Sequence, residues 1–362
     1  MLMFLFLIFF SYLCRLNMRK CANTYLVLRF SSLGNVAMLV PVLDIVARSN
    51  PHARFVVVAR KRLGDLFCGM KNVSFLSVET EENGKTESVR SVYRRLKKDY
   101  DITTVLDLQN NMKSRFLSFM FRLSGIPCLL IRRDKVAERR LLRKGYAESA
   151  PLTTQFEQYA DVFRRAGLSM NADFNSLPVN AGAAGDVMHR FSEKNGSWLG
   201  IAPFAKSKTN MLPYRISKEV IAHFAAKQGT RIFLFGAGRV ECDMLRQWAE
   251  LYDNVESVAG ELTLSQELEL MRRLDLMICM DSANRHLASL VGLRCLTVWC
   301  GTHPFAGFGG WNIGGEIMMQ QPLSCRPCTI HGRNTCKYRN FLCRQFTSAE
   351  IIAECSKLNL DT

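Results

Sequence analysis

The feature that most constrains the fold is an alternation of short β-branched runs with longer amphipathic stretches, which starts near residue 24 and restarts near residue 198. The β-branched runs predict buried strands, and the stretches between them have the period of helices. Such an alternation is typical of a parallel sheet with crossover helices, and its restart predicts two doubly wound units. Strands are predicted at 24–30, 54–59, 102–108, 198–202, 231–235, 276–280 and 295–299, and helices from 36 to about 48 and at 86–98, 113–124, 155–167, 217–228, 239–251, 264–273 and 284–291.

The predicted fold class is therefore α/β, with two Rossmann-like doubly wound domains that face each other across a cleft. The 362 residues are enough for two domains. We predict an apolar N-terminal segment at 1–17, a first domain at 18–180, a second domain at 181–345, and a C-terminal helix and tail at 346–362. Residues 171–197, with the runs NSLP at 175–178 and AGAAG at 181–185, are interpreted as a linker. Ligands of such folds bind beyond the C-terminal ends of the strands.

The N-terminal segment is apolar over a stretch that is short for a bilayer span, and it lacks the features of a signal peptide. Two interpretations stay open. The segment is an anchor, in which case the basic residues that follow predict a cytoplasmic body, or the natural chain starts at Met18.

The chain has a formal net charge of +16, concentrated in its first half. Residues 1–180 contain 28 basic and 15 acidic side chains, a net +13, whereas residues 181–362 contain 20 and 17, a net +3. This imbalance predicts an anionic partner for the first half, either nucleic acid, a membrane surface or a phosphorylated substrate. Nucleic acid is disfavoured because basic and aromatic residues are not interleaved and no recognition motif is present.

Four cysteines, Cys325, Cys328, Cys336 and Cys343, lie close together near the C-terminus. We call residues 325–343 the cysteine segment. Most other cysteines stand singly in apolar runs and are expected to be buried small side chains. For the cysteine segment we favour a loop of reduced thiols. A structural zinc site is the second alternative, since the spacing of the second pair is longer than in strong zinc motifs, and disulfides are the third.

Two loops after predicted strands could bind an anion. The strand at 276–280 is followed by Asp281, Ser282 and Ala283 at the start of a helix, where free backbone N–H groups and the helix dipole favour a pyrophosphate. A simple helix cap is the alternative explanation. The second loop carries Lys206 and Lys208 just beyond the strand at 198–202.

Four sequence motifs, in this order along the chain, resemble those of a known protein family. VLRFSSLGNV at 27–36, IAPFA at 201–205, FGAG at 235–238 and DSANRHLAS at 281–289 resemble the signatures of glycosyltransferase family 9, the ADP-heptose:lipopolysaccharide heptosyltransferases. The similarity runs from about residue 24 to the end, and the cysteine segment resembles one bacterial subgroup. The resemblance implies a GT-B fold, an acceptor site in domain 18–180, a nucleotide-sugar site in domain 181–345, and inverting transfer that requires no metal or other cofactor.

In the family the general base is the Asp of a Ser-x-Gly-Asp-Val loop, which corresponds here to Ser32, Gly34 and Asn35. A carboxamide can orient a hydroxyl group, but it cannot accept its proton. Asp44, Asp107 and solvent are the alternative proton acceptors. A family lysine corresponds to Asn210, and Lys206 or Lys208 could supply its charge.

The resemblance also implies roles for other residues. Ser282, Ala283 and His286 would line the diphosphate and ribose, Asp281 would order their loop, and Glu241 would contact the ribose hydroxyls. Asp107, Lys113 and Arg115 are expected on the acceptor side.

The predicted function is transfer of a heptose or related sugar, from ADP-heptose or a similar donor, to an anionic lipopolysaccharide-type glycolipid. The protein is then expected in the cytoplasm, in peripheral contact with the inner face of the cytoplasmic membrane. The alternative is a family member that binds nucleotide or glycolipid without turnover, because the family's base is replaced by Asn35.

Overall fold

The fold is taken from a computed structural model that describes residues 23–78, 87–191, 193–311 and 316–358. The N-terminal segment 1–17, for which two interpretations were open, lies outside the described residues. Among the helices that the structure describes, none is long and apolar enough to span a bilayer.

The first half folds as a five-stranded parallel sheet with the strand order β3-β2-β1-β4-β5. Its central strands are apolar and covered on both faces, as parallel sheets require. The strands are β1 (Thr24–Leu28), β2 (Arg54–Arg60), β3 (Val73–Val78), β4 (Thr104–Asp107) and β5 (Cys128–Leu130), and the helices are α1 (Leu33–Ser49), α2 (Val89–Asp99), α3 (Met112–Leu123), α4 (Lys135–Lys144) and α5 (Gln155–Arg165).

The second half forms a six-stranded parallel sheet with the order β11-β10-β9-β6-β7-β8. Both sheets therefore reverse their strand order near the centre, which confirms the predicted α/β class with two doubly wound units. The strands are β6 (Ser197–Ala202), β7 (Thr230–Leu234), β8 (Val255–Ser257), β9 (Leu276–Met280), β10 (Cys295–Trp299) and β11 (Glu316–Gln320), and the helices are α6 (Ala181–Phe191), α7 (Tyr214–Ala225), α8 (Arg239–Ala249), α9 (Leu264–Arg273), α10 (Ala283–Leu290) and α11 (Ser348–Ser356).

The two units share one continuous apolar core that includes α1, α5, α9 and α10. Backbone bonds also join them, from Leu152 N to Phe305 O (2.8 Å) and from Gln155 N to Gly307 O (2.9 Å). The opposite face of the first sheet, covered by α2 and α3, has a separate core made only of residues of the first unit. Helices α2 and α3 consequently face away from the second unit.

The interpretation of 171–197 as a linker is corrected, because this stretch contains helix α6. Ala183, Val187 and Phe191 repeat at the helical spacing and are buried, and the Asn180 side chain caps the helix by accepting from Ala183 N at 3.1 Å. Burial of this face outweighs the low helix propensity of Gly182 and Gly185. Four strands and one further helix were also not predicted. The strands β3, β5, β8 and β11 are the edge strands of the two sheets, and the helix is α4.

Candidate active site

The loop after β1 begins the first side of the candidate site. Ser32 precedes α1, and its carbonyl accepts from Val36 N at 2.9 Å. The Asn35 carboxamide lies in the first turn, where its Nδ2 donates to Ser32 Oγ at 3.1 Å. This bond leaves the Asn35 carbonyl oxygen, Oδ1, as the acceptor that can orient a hydroxyl group.

Two buried residues support this loop from below. Tyr159 on α5 donates its hydroxyl to the backbone carbonyl of Asn35 at 3.1 Å. Arg29, itself buried, donates from Nη1 to Leu108 O at 2.9 Å and lies over the Tyr159 ring, 5.7 Å from its centroid. Burial raises the pKa of Tyr159, and the nearby guanidinium of Arg29 opposes this. The phenol therefore stays protonated and keeps its donor.

The second side of the site is the turn between β9 and α10. Asp281 directly follows β9 and accepts from Thr302 Oγ1 at 2.6 Å and from Arg285 Nη2 at 3.1 Å. Arg285 is buried, donates also to Phe308 O, and lies 4.7 Å from the Trp299 ring centroid. These contacts fix the start of α10 before any ligand binds.

The beginning of α10 leaves polar groups available. Ser282 occupies the cap position but makes no side-chain cap bond, and its buried Oγ has no hydrogen-bond partner among the described residues. The free backbone N–H groups of the first turn carry partial positive charge. An anion at this end of the helix would satisfy them.

His286 follows one turn into α10 and is almost fully buried. Burial, and then the adjacent Arg285 cation, lower its pKa well below the usual value, so the imidazole is neutral at physiological pH. Its Nδ1 has no partner among the described residues. His286 can therefore hydrogen-bond to a ligand without adding charge.

The two sides of the site are in direct contact. A Cβ atom added to Gly34 would lie 3.1 Å from His286 Cδ2 and 3.6 Å from Ala283 Cα. Glycine at this position lets the loop of the first unit approach the start of α10. The Asn35 and His286 regions thus form one site, although they are far apart in the sequence.

The loop after β6 lies beside this site and is covered by the cysteine segment. Thr209 exchanges hydrogen bonds with Arg333, and a Cβ on Gly332 would lie 2.6 Å from Asn210 Oδ1. Asn210 is buried, and its Nδ2 reaches Asp281 Oδ2 at 3.5 Å. Asn210 thus faces the turn that Asp281 organises.

The lysines of this loop differ in their surroundings. Lys208 Nζ lies over the Phe341 ring, 5.2 Å from its centroid, and its backbone N donates to Asn334 Oδ1 at 3.0 Å. Lys206 and Lys208 are both exposed. Both ammonium charges are therefore available to a ligand at this loop, and that of Lys208 also lies over the Phe341 ring.

Sequence reasoning missed His331, which lies in the cysteine segment. Its ring is accessible to solvent but meets Phe308 edge-on at 5.0 Å. Surrounding protein lowers its pKa, as do the charges of Arg133, Arg29 and Lys206, while Asp281 opposes them. Basic residues of both units thus converge beside the turn of α10. Only the His-Gly pair between the cysteines could have indicated this residue.

Glu241 lies in the first turn of α8, after the glycine-rich turn at 236–238. Its Oε2 accepts from Ala237 N at 3.0 Å, and burial raises its pKa despite this bond. The other carboxylate oxygen remains for a ligand hydroxyl.

The predicted acceptor residues have different environments. Asp107 is completely buried, and its Oδ1 accepts from Gln109 N at 3.0 Å and from Asn110 N at 2.7 Å. Burial raises its pKa. It therefore holds the loop after β4 and is not placed to touch an acceptor. Lys113 and Arg115 are exposed on α3, which begins beyond this loop.

Neither alternative carboxylate base is supported. Asp107 is enclosed as described, and Asp44 is paired with Arg48 at 2.7 Å on α1. Asp44 lies nine residues beyond Asn35 on that helix, which is about 13 Å along the axis. Of Asp44, Asp107 and solvent, solvent remains as the proton acceptor.

Comparison with known proteins identifies the family. The sequence model of glycosyltransferase family 9 (heptosyltransferase) matches residues 89–338, more than half of the chain. The chain belongs to glycosyltransferase family 9. A search of curated protein sequences finds no match.

Solved structures of this family share the fold. A family 9 glycosyltransferase from Veillonella parvula has a TM-score of 0.74 at 16% identity, covering 94% of this chain and 98% of that chain. Escherichia coli ADP-heptose LPS heptosyltransferase II has a TM-score of 0.68 at 17% identity, with 93% and 98% covered. E. coli heptosyltransferase WaaC with ADP has a TM-score of 0.65 at 16% identity, with 92% and 99% covered. The GT-B architecture expected from the motifs is confirmed.

The cysteine segment is held in place by Arg326, which is wholly buried. Its guanidinium donates to the carbonyls of Cys300 (2.5 Å), Trp299 (3.0 Å), Thr302 (2.7 Å) and Gln321 (2.7 Å). The segment is thereby fixed to the end of β10. All four cysteines are free thiols, and no three His, Cys, Asp or Glu side chains of the described ranges are arranged to hold a metal ion. The zinc alternative stays a prediction.

Proposed function

We propose that this family 9 glycosyltransferase transfers a heptose or related sugar from a nucleoside diphosphate donor, ADP-heptose in the first instance, to an anionic lipopolysaccharide-type glycolipid. The observation that carries the proposal is the direct contact of the Gly34–Asn35 loop with the start of α10. This contact brings a group that orients a hydroxyl next to a turn suited to a diphosphate.

Donor binding is assigned to the second unit. The N–H groups at the start of α10 and Ser282 Oγ would receive the diphosphate oxygens, with Lys206 and His331 close to the same anion. Neutral His286 would donate or accept a single hydrogen bond, and Glu241 would accept from ribose hydroxyls. The ADP named with E. coli WaaC, a chain of the same fold, supports a nucleotide as ligand.

The proposed reaction is a displacement with inversion that uses no metal. The acceptor oxygen forms a bond to the anomeric carbon while the bond from that carbon to the β-phosphate oxygen breaks. The cations of the cleft stabilise the departing diphosphate, which leaves with the bonding electron pair. The acceptor hydroxyl proton passes to solvent, because Asn35 cannot take it and the nearby carboxylates are enclosed or paired.

This arrangement predicts slow turnover that one substitution should accelerate. Asn35→Asp restores a proton acceptor next to Gly34, the residue that contacts the donor turn. General base catalysis contributes about 10²–10⁴-fold, so we expect kcat to rise by about 100-fold or more. The measurement is sugar transfer from ADP-heptose to lipopolysaccharide core acceptor, in a donor screen of the parent chain and the variant. Asn35→Ala serves as the matched control and should not gain activity.

The same screen decides the alternative of a binding protein without turnover. If ADP binds by calorimetry but neither the parent nor Asn35→Asp yields product with any donor, transfer is refuted and that alternative stands. The metal prediction is tested separately by elemental analysis of the purified chain. Stoichiometric metal that is lost in a Cys325→Ser, Cys328→Ser variant would establish a site at Cys325, Cys328, Cys336 and Cys343, and a parent chain without metal would refute it.

We propose that the acceptor is reached at the cytoplasmic membrane. A glycolipid acceptor remains in the bilayer, so an enzyme that uses it must approach the surface. The net charge of +13 in residues 1–180 supports this approach, because the anionic surface of a bilayer attracts basic proteins.

A further inference from the structure

Helix α3 has an exposed apolar stripe that no neighbouring element covers among the described residues. Met112, Phe116, Phe119 and Leu123 repeat at intervals of four, three and four residues, and their exposed fractions are 89%, 43%, 51% and 73%. With 3.6 residues per turn, the four side chains fall within an arc of about 60°. Exposed large apolar side chains arranged in a continuous line indicate an interaction site.

The remaining faces of α3 are equally well defined. Ser114, Leu117, Ser118 and Phe121 are buried on the opposite side, and Phe121 meets Tyr93 of α2 at 4.9 Å between ring centroids. The exposed cations Lys113, Arg115 and Arg122 flank the stripe on its two sides, and α3 contains no acidic residue. The helix is therefore fixed to the protein on one face and presents an apolar line with basic borders on the other.

Helix α2, packed beside α3, extends this charge. Arg90, Arg94, Lys97 and Lys98 are exposed at helical spacing, and Asp99 is the one acidic residue of the helix. Because α2 and α3 cover the face of the first sheet that looks away from the second unit, the surface is outside the interdomain cleft.

We propose that α3, with the basic side chains of α2, is the surface by which this protein lies on an anionic phospholipid bilayer. The Phe and Leu side chains enter the boundary between headgroups and acyl chains, and the Lys and Arg stems extend along them to place their charges at lipid phosphates. This inference rests on the proposed function only in that it explains how a lipid-linked acceptor is reached.

A second copy of the chain fits this surface less well. Stable protein interfaces use about 20–30 residues on each side, whereas this stripe has four. A symmetric dimer would also bring the two basic borders together, which is repulsive. An anionic bilayer satisfies both the apolar stripe and the charge.

The surface is placed to serve the candidate site. Helix α3 starts directly after the Asp107–Asn110 loop, and Asp107 is paired with Leu28 of β1 in the sheet. The chain continues from β1 into the Ser32–Asn35 loop. The Met112 end of the stripe thus lies at the sheet edge that carries the site, so that a headgroup at this edge can enter the cleft while its acyl chains stay in the bilayer.

Vesicle sedimentation of the full-length chain tests the proposal. We expect binding to vesicles of equal parts phosphatidylcholine and phosphatidylglycerol, weaker binding to phosphatidylcholine alone, and a decrease with added salt. Phe116→Ser with Phe119→Ser should reduce binding to both vesicles. Arg94→Gln with Arg122→Gln should weaken binding to the anionic vesicles by about tenfold or more, because each cation near such a surface contributes about 1 kcal/mol.

Matched controls separate this surface from general exposure of apolar groups. Leu251→Ser with Met188→Ser removes two side chains that are 61% and 51% exposed in the second unit, and should bind like the parent. If the Phe116/Phe119 variant also binds like the parent, another part of the chain carries membrane binding and the proposal fails. A parent that binds no vesicles, or a dimer in light scattering that the same variant disrupts, would overturn it too.

Calorimetry with ADP on the same samples keeps the two proposals apart. If the Phe116/Phe119 variant loses vesicle binding and keeps its ADP affinity, the result supports the role of α3 and does not bear on the proposed function. If the parent binds vesicles but not ADP, the proposed function fails and the role of α3 is unaffected.

Discussion

Gly34 and His286 are close enough that only a glycine fits between α1 and α10 without displacement. A Cβ at residue 34 would lie 3.1 Å from His286 Cδ2, closer than most such contacts. Gly34 has no positive φ, so its lack of a side chain matters for space and not for backbone conformation. The contact ties the loop that holds Asn35 to the turn proposed for the donor.

We therefore expect Gly34→Ala to separate the two loops by a few tenths of an ångström. ADP affinity should fall several-fold, and transfer by the Asn35→Asp form should fall further, because orientation at the reacting carbon is sensitive to small displacements. Calorimetry and initial rates measure these effects.

Gly185→Ala is the matched control for this substitution. Gly185 lies in α6, and its Cβ would meet no atom within 4 Å. That variant should be stabilised by up to about 1 kcal/mol through helix propensity and bind ADP unchanged. Parent-like affinity and rate for Gly34→Ala would show that the contact has no functional role.

The hydrogen bond from Tyr159 to the carbonyl of Asn35 gives a second prediction. Tyr159→Phe removes the donor at 3.1 Å and should cost about 1 kcal/mol of unfolding free energy. Because the bond positions the Asn35 loop, kcat of the Asn35→Asp form should also fall several-fold, with ADP affinity unchanged.

Tyr93→Phe is a suitable comparison, since Tyr93 and Ser124 share a 2.6 Å hydrogen bond on the outer face of the first sheet. Tyr93→Phe should lower the unfolding free energy by a similar amount and leave kcat for a soluble acceptor fragment unaffected. Equal kcat values for the two variants would reduce Tyr159 to a structural residue.

The sequence patterns predict the fold and part of the site well. Apolar runs and the turns after them locate β1, β9 and the start of α10, because parallel strands leave polar turns at one sheet edge. The four missed strands are the edge strands of the two sheets. Helix α6 depends on tertiary burial, which local propensity does not report. Tyr159 acts through a hydrogen bond to Asn35, and the charges of Arg133 and Lys206 act on His331. These partners are all more than a hundred positions away in the sequence, so no local motif reveals either residue.

Asp107 shows that a sequence can predict where a residue lies without predicting what its side chain contacts. Its position after β4 correctly predicts a residue at the site edge of the sheet. Whether its carboxylate turns into the loop or out to a ligand depends on the Gln109 and Asn110 amides, which bind it inward. Sequence position therefore predicts the edge but not the direction of the side chain.

The last prediction concerns pH and His303, whose ring stacks on Tyr146 at 4.2 Å between centroids. Its Nδ1 accepts from Phe305 N at 3.1 Å, which requires an unprotonated Nδ1. Burial, followed by the nearby Arg326 cation, lowers the pKa of His303 to about 4. In the unfolded chain its pKa is about 6.5, so the unfolded state binds the proton more readily.

The stabilisation from neutral His303 is consequently complete above about pH 6.5 and is lost as the pH falls toward 4. His286, whose pKa is lowered as well, acts in the same direction. Unfolding free energies from urea titrations at several pH values in this range should decrease toward acid. His303→Gln keeps an acceptor for Phe305 N but does not titrate, and it should be less stable than the parent at neutral pH. Its unfolding free energy should fall less toward acid than that of the parent, by up to about 3 kcal/mol over the range. An identical pH dependence for the parent and His303→Gln would mean that His303 has an ordinary pKa in the folded protein. The contact with Tyr146 would then not depend on a neutral ring.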